Sequence, residues 1–161
     1  MKVLIGSDKS GFALKEQIKE DLLQKGYEVE DLGTRDLAKV MPFFEVAPVV
    51  AERVARNPGQ KAILICGTGM GMSQVANMYD GVYAASCESV YAARMCRAIN
   101  DANILCMGGW IIAREMGIEM AEVFLNTGFT QGLEEWRQEF LRGVVQKVHA
   151  LSKQRRRGVD A

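Results

Sequence analysis

Short apolar runs and amphipathic stretches alternate along the whole chain. The apolar runs predict five strands, at residues 3–6, 27–31, 62–66, 82–86 and 103–107. Apolar residues at helical spacing predict six helices, at residues 11–24, 43–56, 71–78, 89–98, 112–125 and 133–151. Strands separated by helices favour a parallel sheet with right-handed crossovers. We therefore expect an α/β fold, a single-domain, doubly wound, five-stranded parallel sheet (Rossmann-like) with helices on both faces and a long C-terminal helix.

Composition limits the number of domains, the partners and the location that we expect for this chain. The 161 residues suit one domain, expected over residues 1–152, and a basic tail is expected over residues 153–161. The tail could contact nucleic acid or a membrane, but a solvated, frayed end is the simpler interpretation. Twenty Lys and Arg balance twenty Asp and Glu, so neither nucleic acid nor a membrane is an expected partner. The chain shows neither a signal peptide nor a long apolar run, which predicts a cytoplasmic protein with reduced thiols.

The third predicted strand ends at Cys66 and leads into a glycine loop, Gly67-Thr68-Gly69-Met70-Gly71. Backbone N–H groups and the positive end of the following helix favour a thiolate there, and the same groups could hold a phosphate or an oxyanion. A plain core cysteine is the competing interpretation. A dinucleotide site is unlikely to explain the loop, because Met72 replaces the third glycine of that fingerprint.

Few other residues in the sequence are candidates for catalysis or for binding a ligand or metal. Cys87, Cys96 and Cys106 lie in apolar segments and are expected in the core; without a C-x-x-C pair and with His149 as the one histidine, a Cys/His metal site is not expected. Parallel sheets bind ligands at the carboxyl ends of their strands, where Asp8 also falls. That carboxylate could grip sugar hydroxyls or only cap a turn.

Several segments of the chain resemble the ribose-5-phosphate isomerase B and galactose-6-phosphate isomerase family. The segments with this likeness are Gly6-Ser7-Asp8, Gly11-Phe12, Leu14-Lys15, Lys25–Val29, Asp31–Thr34, the long run Leu64–Ser73, Asn100–Leu105 and Phe124–Thr127. The likeness extends from Met1 to about Arg137.

This resemblance implies an aldose–ketose isomerase that acts on a sugar phosphate through a cis-enediolate, with Cys66 as the base. It implies no cofactor, and a homodimer or dimer of dimers with sites at the subunit interface. The catalytic residues that it implies are Cys66, Gly67, Thr68, Gly69 and Gly71. The substrate-binding residues that it implies are Asp8, Lys9, Met70, Ser73, Asn100 and Arg137.

The departures from the family pattern concern the substrate. Lys9 and Ile99 replace histidines, the second of which is associated with ring opening, while Trp110 and Leu133 replace arginines. One explanation is a short, open-chain sugar such as a tetrulose phosphate, held by Lys9 and Arg137. Another is a different ligand against an apolar wall of Trp110, Trp136, Phe43 and Phe44. A non-catalytic sugar-phosphate-binding regulator and a Cys66 redox sensor are the alternative classes of function.

Overall fold

The computed structural model describes the backbone of residues 2–157 and the side chains of residues 2–151. Its strands are β1 (Lys2–Ser7), β2 (Glu28–Asp31), β3 (Lys61–Cys66), β4 (Ala84–Ser86) and β5 (Ile104–Gly108). Its helices are α1 (Phe12–Gln24), α2 (Phe43–Arg56), α3 (Met70–Ala76), α4 (Val90–Ala98), α5 (Arg114–Asn126) and α6 (Glu135–Arg157).

The five strands form one parallel sheet in the order β2-β1-β3-β5-β4. The chain moves outward from β1 to β2 and then crosses back to β3 on the other side of β1. The order therefore reverses between β1 and β3, which is where doubly wound sheets bind ligands, outside the carboxyl ends of the strands. The predicted fold class is confirmed.

Alternation along the strands divides the core into two layers, one on each face of the sheet. Val3 and Ile5 of β1 join a cluster that includes apolar residues of α1, α4 and α5. Leu4 joins the opposite cluster with apolar residues of α2 and α3. Helices thus cover both faces, and each central strand reads as a continuous apolar run because both of its faces are buried.

Most elements begin or end within one or two residues of the predicted bounds, and the differences at β4 and α6 have a visible cause or consequence. β4 begins two residues later than predicted, because the amides of Tyr83 and Ala84 donate to the side chains of Asn103 and Asn77 at 2.8 and 2.9 Å. Helix α6 continues to Arg157, past the expected boundary at residue 152, so the first part of the expected tail is helical; residues 158–161 lie outside the described part.

Helix α6 lies across the edge of the sheet where the strands begin. Leu141 is buried against the body of the protein, and the ring of His149 stacks on Tyr83 at a centroid distance of 4.5 Å. The neighbouring stripe of the helix is exposed and carries large apolar side chains, at Trp136, Phe140, Val148 and Leu151. None of the helices within residues 2–157 is both long and apolar enough to span a membrane.

Candidate active site

Cys66 is the last residue of β3 and lies at the point where the strand order reverses. Ser7 pairs with Ile65 in the β1–β3 register, so Asp8 and Cys66 stand level at the carboxyl ends of adjacent strands. The amide of Asp8 donates to the carbonyl of Ile65 at 3.3 Å. The sheet therefore brings the predicted base and a predicted substrate carboxylate to one edge, called the carboxyl edge below.

The glycine loop wraps around the sulfur of Cys66. The amide of Gly69 donates to Sγ at 3.2 Å, so the loop places a backbone donor on the sulfur. Gly69 has a φ of +79°, and a Cβ at this position would lie 2.9 Å from the Met107 backbone. Both the backbone conformation and the close approach require glycine. The side chain of Cys66 is 5% exposed, which leaves a narrow access to the thiol.

The loop after β5 supports the Cys66 loop from the other side. The amide of Gly109 donates to the carbonyl of Cys66 at 2.7 Å, and that of Trp110 donates to the carbonyl of Gly67 at 3.0 Å. A Cβ on Gly108 would lie 2.8 Å from the Gly67 carbonyl oxygen. These contacts fix the backbone on either side of the thiol before any ligand binds.

The start of α3 supplies donors beside Cys66. The amide of Met70 donates to Oγ1 of Thr68 at 3.3 Å, so the hydroxyl proton of Thr68 remains available to a ligand. The amide of Ser73 makes the first bond within the helix, to the carbonyl of Gly69. Because the first turn of any helix leaves its amides without acceptors inside the helix, the Gly71 amide is available for an oxyanion.

The predicted substrate residues near this edge differ in how they are held. The carboxylate of Asp8 accepts from the amide of Gly11 at 3.0 Å through Oδ1, so it caps the turn after β1. Lys9 and Met70 are exposed. The hydroxyl of Ser73 donates to the Ala84 carbonyl at 3.3 Å, which directs it toward the start of β4.

Asn100 and Arg137 lie away from this cluster. Asn100 precedes β5, and Arg137 follows a loop whose Thr130 amide donates to the carbonyl of Ala98, at the end of α4. In a parallel sheet the start of one strand and the end of its neighbour lie at opposite edges. A single chain therefore places Asn100 and Arg137 at the amino edge, the edge where the strands begin, and Cys66 at the carboxyl edge.

A cavity of about 490 Å³ opens at the amino edge. Lys61, Arg97, Tyr83, Asn103 and His149 are among its lining residues, and Cys66 is not. Burial, and secondarily the nearby Arg97 charge, lower the pKa of Lys61. The donors that converge on a nucleophile are at the carboxyl edge and not in this cavity, which makes that edge the candidate active site. Among the residues that the structure describes, no three His, Cys, Asp or Glu side chains are grouped to hold a metal ion.

Comparison with known proteins identifies the family of this chain. Residues 3–140 match the family model described as Ribose/Galactose Isomerase. The chain belongs to this family. It is 66% identical over 151 residues to the 4-deoxy-4-sulfo-D-erythrose isomerase of Clostridium sp. (strain MSTE9), covering 94% of this chain and 95% of that protein. It is 34% identical over 131 residues to D-erythrulose-4-phosphate isomerase 2 of Mycolicibacterium smegmatis, covering 80% of this chain and 86% of that protein.

Solved structures agree with this assignment. Clostridium thermocellum ribose-5-phosphate isomerase B matches with a TM-score of 0.85 at 35% identity, over 96% of this chain and 99% of that one. The family resemblance predicted from the sequence motifs is confirmed. The protein is thus an enzyme of the ribose/galactose isomerase family, a sugar isomerase.

The other three thiols of this isomerase are core residues, as predicted, and all three are buried. Burial raises the pKa of Cys106 well above its usual range, with the nearby thiols adding to the effect. Hydrogen bonding to Cys87, then burial, raises the pKa of Cys96, and the same hydrogen bond lowers the pKa of Cys87. Cys66 differs from these three because a backbone amide of the glycine loop donates to its sulfur.

Sequence reasoning missed a buried cation that supports the site. The side chain of Lys15 is fully buried, and its Nζ lies 2.6 Å from Asp31 Oδ2 and 2.8 Å from Glu16 Oε1. It also donates to the carbonyl of Thr34, whose amide bonds to the carbonyl of Ser7 beside Asp8. The sequence signal for this burial was a lysine next to the apolar stripe of α1. Such a lysine is ordinarily interpreted as an exposed surface charge.

Proposed function

We propose that this isomerase interconverts a four-carbon aldose and ketose with an anionic group on C4, and that 4-deoxy-4-sulfo-D-erythrose is the aldose. The observation that carries the proposal is the 66% identity, along nearly the full length of both chains, to an isomerase named for that sugar. The Cys66 loop supplies the chemistry, because its geometry joins a thiol to backbone donors.

The chemistry of this sugar fits the family departure at Ile99. An aldotetrose closes its furanose ring through the C4 hydroxyl, and the 4-deoxy-4-sulfo sugar has a sulfonate there instead. The substrate therefore stays open, and the enzyme needs no group that opens a ring. Ile99 cannot transfer a proton, but with such a substrate its presence does not slow the reaction.

Proton transfer would begin at C2 of the aldose. The Cys66 thiolate removes the C2 proton, the electron pair forms the C1–C2 double bond, and O1 becomes an oxyanion. The Gly71 amide and the Thr68 hydroxyl stabilise this enediolate, while Asp8 orients the remaining hydroxyl. Sγ then returns the proton to C1 as the O2 proton passes to O1, which gives the ketose. A positioned base and pre-aligned donors are the two requirements of this reaction.

The sulfonate accounts for the reduced number of cations. A sulfonate carries one negative charge, whereas a phosphate monoester carries up to two near neutral pH. Lys9 at the carboxyl edge and Arg137 from a second subunit would be sufficient for one charge. Leu133 and Glu134, in the segment where the family pattern has a cationic clamp, are compatible with this weaker requirement.

We further propose a homodimer, or a dimer of dimers, whose sites are shared between subunits. Two observations support it. Asn100 and Arg137 lie at the amino edge of their own chain, so they can act with Cys66 only if they come from another copy. Helix α6 leaves Trp136 and Phe140 exposed on one stripe, which is the kind of surface that a second subunit covers.

A cytoplasmic location is part of the proposal. Its support is that all four cysteines are free thiols in the structure, a pattern typical of a reducing compartment.

Deuterium exchange tests the substrate assignment. The protein would be incubated in D₂O with 4-deoxy-4-sulfo-D-erythrose, D-erythrulose 4-phosphate and D-ribose 5-phosphate, and label at C1 or C2 would be followed by proton NMR. We expect the fastest exchange with the sulfonated tetrose. Faster exchange with either sugar phosphate would contradict the sulfonate assignment, and exchange with none would contradict the four-carbon assignment as well.

A further inference from the structure

Two aromatic rings cover the two ends of the glycine loop. A Cβ on Gly67 would lie 2.8 Å from the indole ring of Trp110, and one on Gly71 would lie 3.0 Å from the ring of Phe43. Each ring therefore occupies the space that a side chain on that glycine would need. The donors of the loop are thus enclosed between an aromatic ring at each end.

Both rings are anchored at their bases. The Trp110 amide donates to the Gly67 carbonyl at 3.0 Å, which fixes the backbone of Trp110 beside the residue that follows the thiol. Phe43 is the first residue of α2, and its ring meets Phe44 edge to face with centroids 5.5 Å apart. The backbone positions of both aromatic residues are thus set by the fold next to the loop.

Trp110 presents a large apolar surface beside the site. Its side chain is 74% exposed although it contacts the catalytic loop, and large apolar surface beside a site commonly marks ligand contact. Binding sites for small molecules are lined largely by apolar and aromatic side chains, with few polar groups that fix orientation. The contact with Gly67 places this ring beside the carbons on which Cys66 acts, which favours the substrate as the cover.

We infer that Trp110 and Phe43 limit the length of sugar that the site accepts, which makes them specificity-determining residues. This inference rests on the proposed function, in which Cys66 acts at C1 and C2 and the anionic group is on C4. A sugar with one more CHOH group between these points would have to displace one of the two rings. A four-carbon chain fits between them.

The test compares two open-chain ketoses with the same anionic group. D-erythrulose 4-phosphate and D-ribulose 5-phosphate differ by one CHOH, and neither closes a furanose ring because the required hydroxyl is absent or phosphorylated. Exchange of the C1 protons in D₂O would give kcat/KM for each sugar with the wild type, Trp110→Ala, Trp110→Phe and Phe43→Ala. 4-Deoxy-4-sulfo-D-erythrose would be measured in parallel.

We expect the wild type to prefer the four-carbon ketose, and Trp110→Ala to lower that preference by about 10- to 200-fold, the range that one carbon unit commands in a binding pocket. Trp110→Phe should fall between the two. Tyr91→Ala is the matched control, because Tyr91 is 73% exposed but lines a separate cavity with Arg94 and Leu133; its preference should equal that of the wild type.

Each contrary result has a distinct meaning. An unchanged preference in folded Trp110→Ala and Phe43→Ala, or a wild type that prefers the five-carbon ketose, would overturn this inference alone. Loss of the wild-type molar mass in Trp110→Ala, measured by light scattering, would also overturn it, since a subunit would then be the cover. Absence of exchange with all three sugars would overturn the proposed function and this inference with it.

Discussion

At the carboxyl edge of the sheet, the groups around Cys66 are joined by short backbone hydrogen bonds within one chain. The Gly69 amide reaches the sulfur, and the loop after β5 bonds to both Cys66 and Gly67. At the amino edge, Asn100 and Arg137 belong to the same predicted site but have no route to the thiol within their own chain. One half of the site is built by local folding, while the other half depends on assembly.

This difference shows which parts of the predicted site can form within a single chain. A loop that follows a buried strand is fixed by the sheet register and by glycines that permit close approach, so its geometry is complete in the monomer. Residues that begin a strand are carried to the other side of the sheet, whatever their motif. The following predictions test this contrast, beginning with the largest expected effect.

Replacement of the thiol should have the largest effect on catalysis. We expect Cys66→Ala to lower kcat by at least about 10³-fold, because the proposed reaction assigns the C2 proton to this thiol and alanine has no group that can accept it. Steady-state rates and circular dichroism would be measured together. Cys87→Ala, which removes a buried thiol at the end of β4, is the control and should retain most activity. Near-normal turnover in folded Cys66→Ala would remove this thiol from the mechanism.

The buried cation behind the carboxyl edge should have the largest effect on stability. Lys15→Met would leave Asp31 largely buried without its main partner, and we expect a loss of about 3 kcal/mol in the free energy of unfolding. Urea denaturation would measure it. Lys19→Met is the matched control, because Lys19 also pairs with Asp31 but is partly exposed, and it should cost less.

Lys15→Met should also change how steeply the free energy of unfolding falls at low pH. Burial raises the pKa of Asp31, but hydrogen bonds from Lys15 and Gly33 outweigh it and hold the pKa below its usual range. This contribution to stability is present above the unfolded pKa and is lost as the pH falls toward the folded pKa. Below about pH 5, the wild type should therefore lose stability more steeply than Lys15→Met. Equal slopes would show that the pair contributes no pH dependence.

At the amino edge, Arg137→Ala should raise KM more than it lowers kcat. Loss of one charge-assisted bond to the substrate anion corresponds to about 2 kcal/mol, or about 30-fold in kcat/KM. Initial rates over a range of substrate concentrations would separate the two constants. A fall in kcat at constant KM would contradict an anchoring role for this arginine.

Mixing two variants, each defective at one edge, tests directly whether two subunits share a site. Cys66→Ala and Arg137→Ala would be unfolded, combined in equal amounts and refolded, then assayed well below KM. If subunits share sites, half of the dimers are mixed and each has one intact site, so about one quarter of wild-type activity should return. Recovery no greater than the mean of the separate variants would show that Arg137 acts in its own chain or not at all.

Ser73→Ala should have the smallest effect. The hydroxyl of Ser73 donates to the Ala84 carbonyl and accepts from Asn77 at 3.4 Å, so it is engaged within the chain. We expect a change in kcat/KM corresponding to about 1 kcal/mol or less, as for one neutral hydrogen bond. A much larger fall in kcat/KM with an unchanged melting temperature would restore Ser73 to the substrate site.

Much of this architecture could be predicted because it depends on local sequence patterns. The helix over residues 43–56 was predicted with the bounds that the structure shows, since its apolar spacing is regular and Asn57-Pro58-Gly59 ends it. β4 was less predictable, because two asparagine side chains far apart in sequence take the place of ladder bonds at its start. Lys15 was not predicted as a buried residue, since its partners Asp31 and Thr34 come from the end of β2 and from the loop that follows it.

The sequence by itself determined the alternation of strands and helices, the glycine loop that follows Cys66, and the family that this loop identifies. These features depend on residue type and spacing over short distances, so they survive in the linear chain. Only the tertiary structure decided that Asp8 stands level with Cys66, that two aromatic rings enclose the loop, and that Asn100 lies at the opposite edge. Those facts follow from strand order and register, which place residues distant in sequence side by side and which no local pattern records.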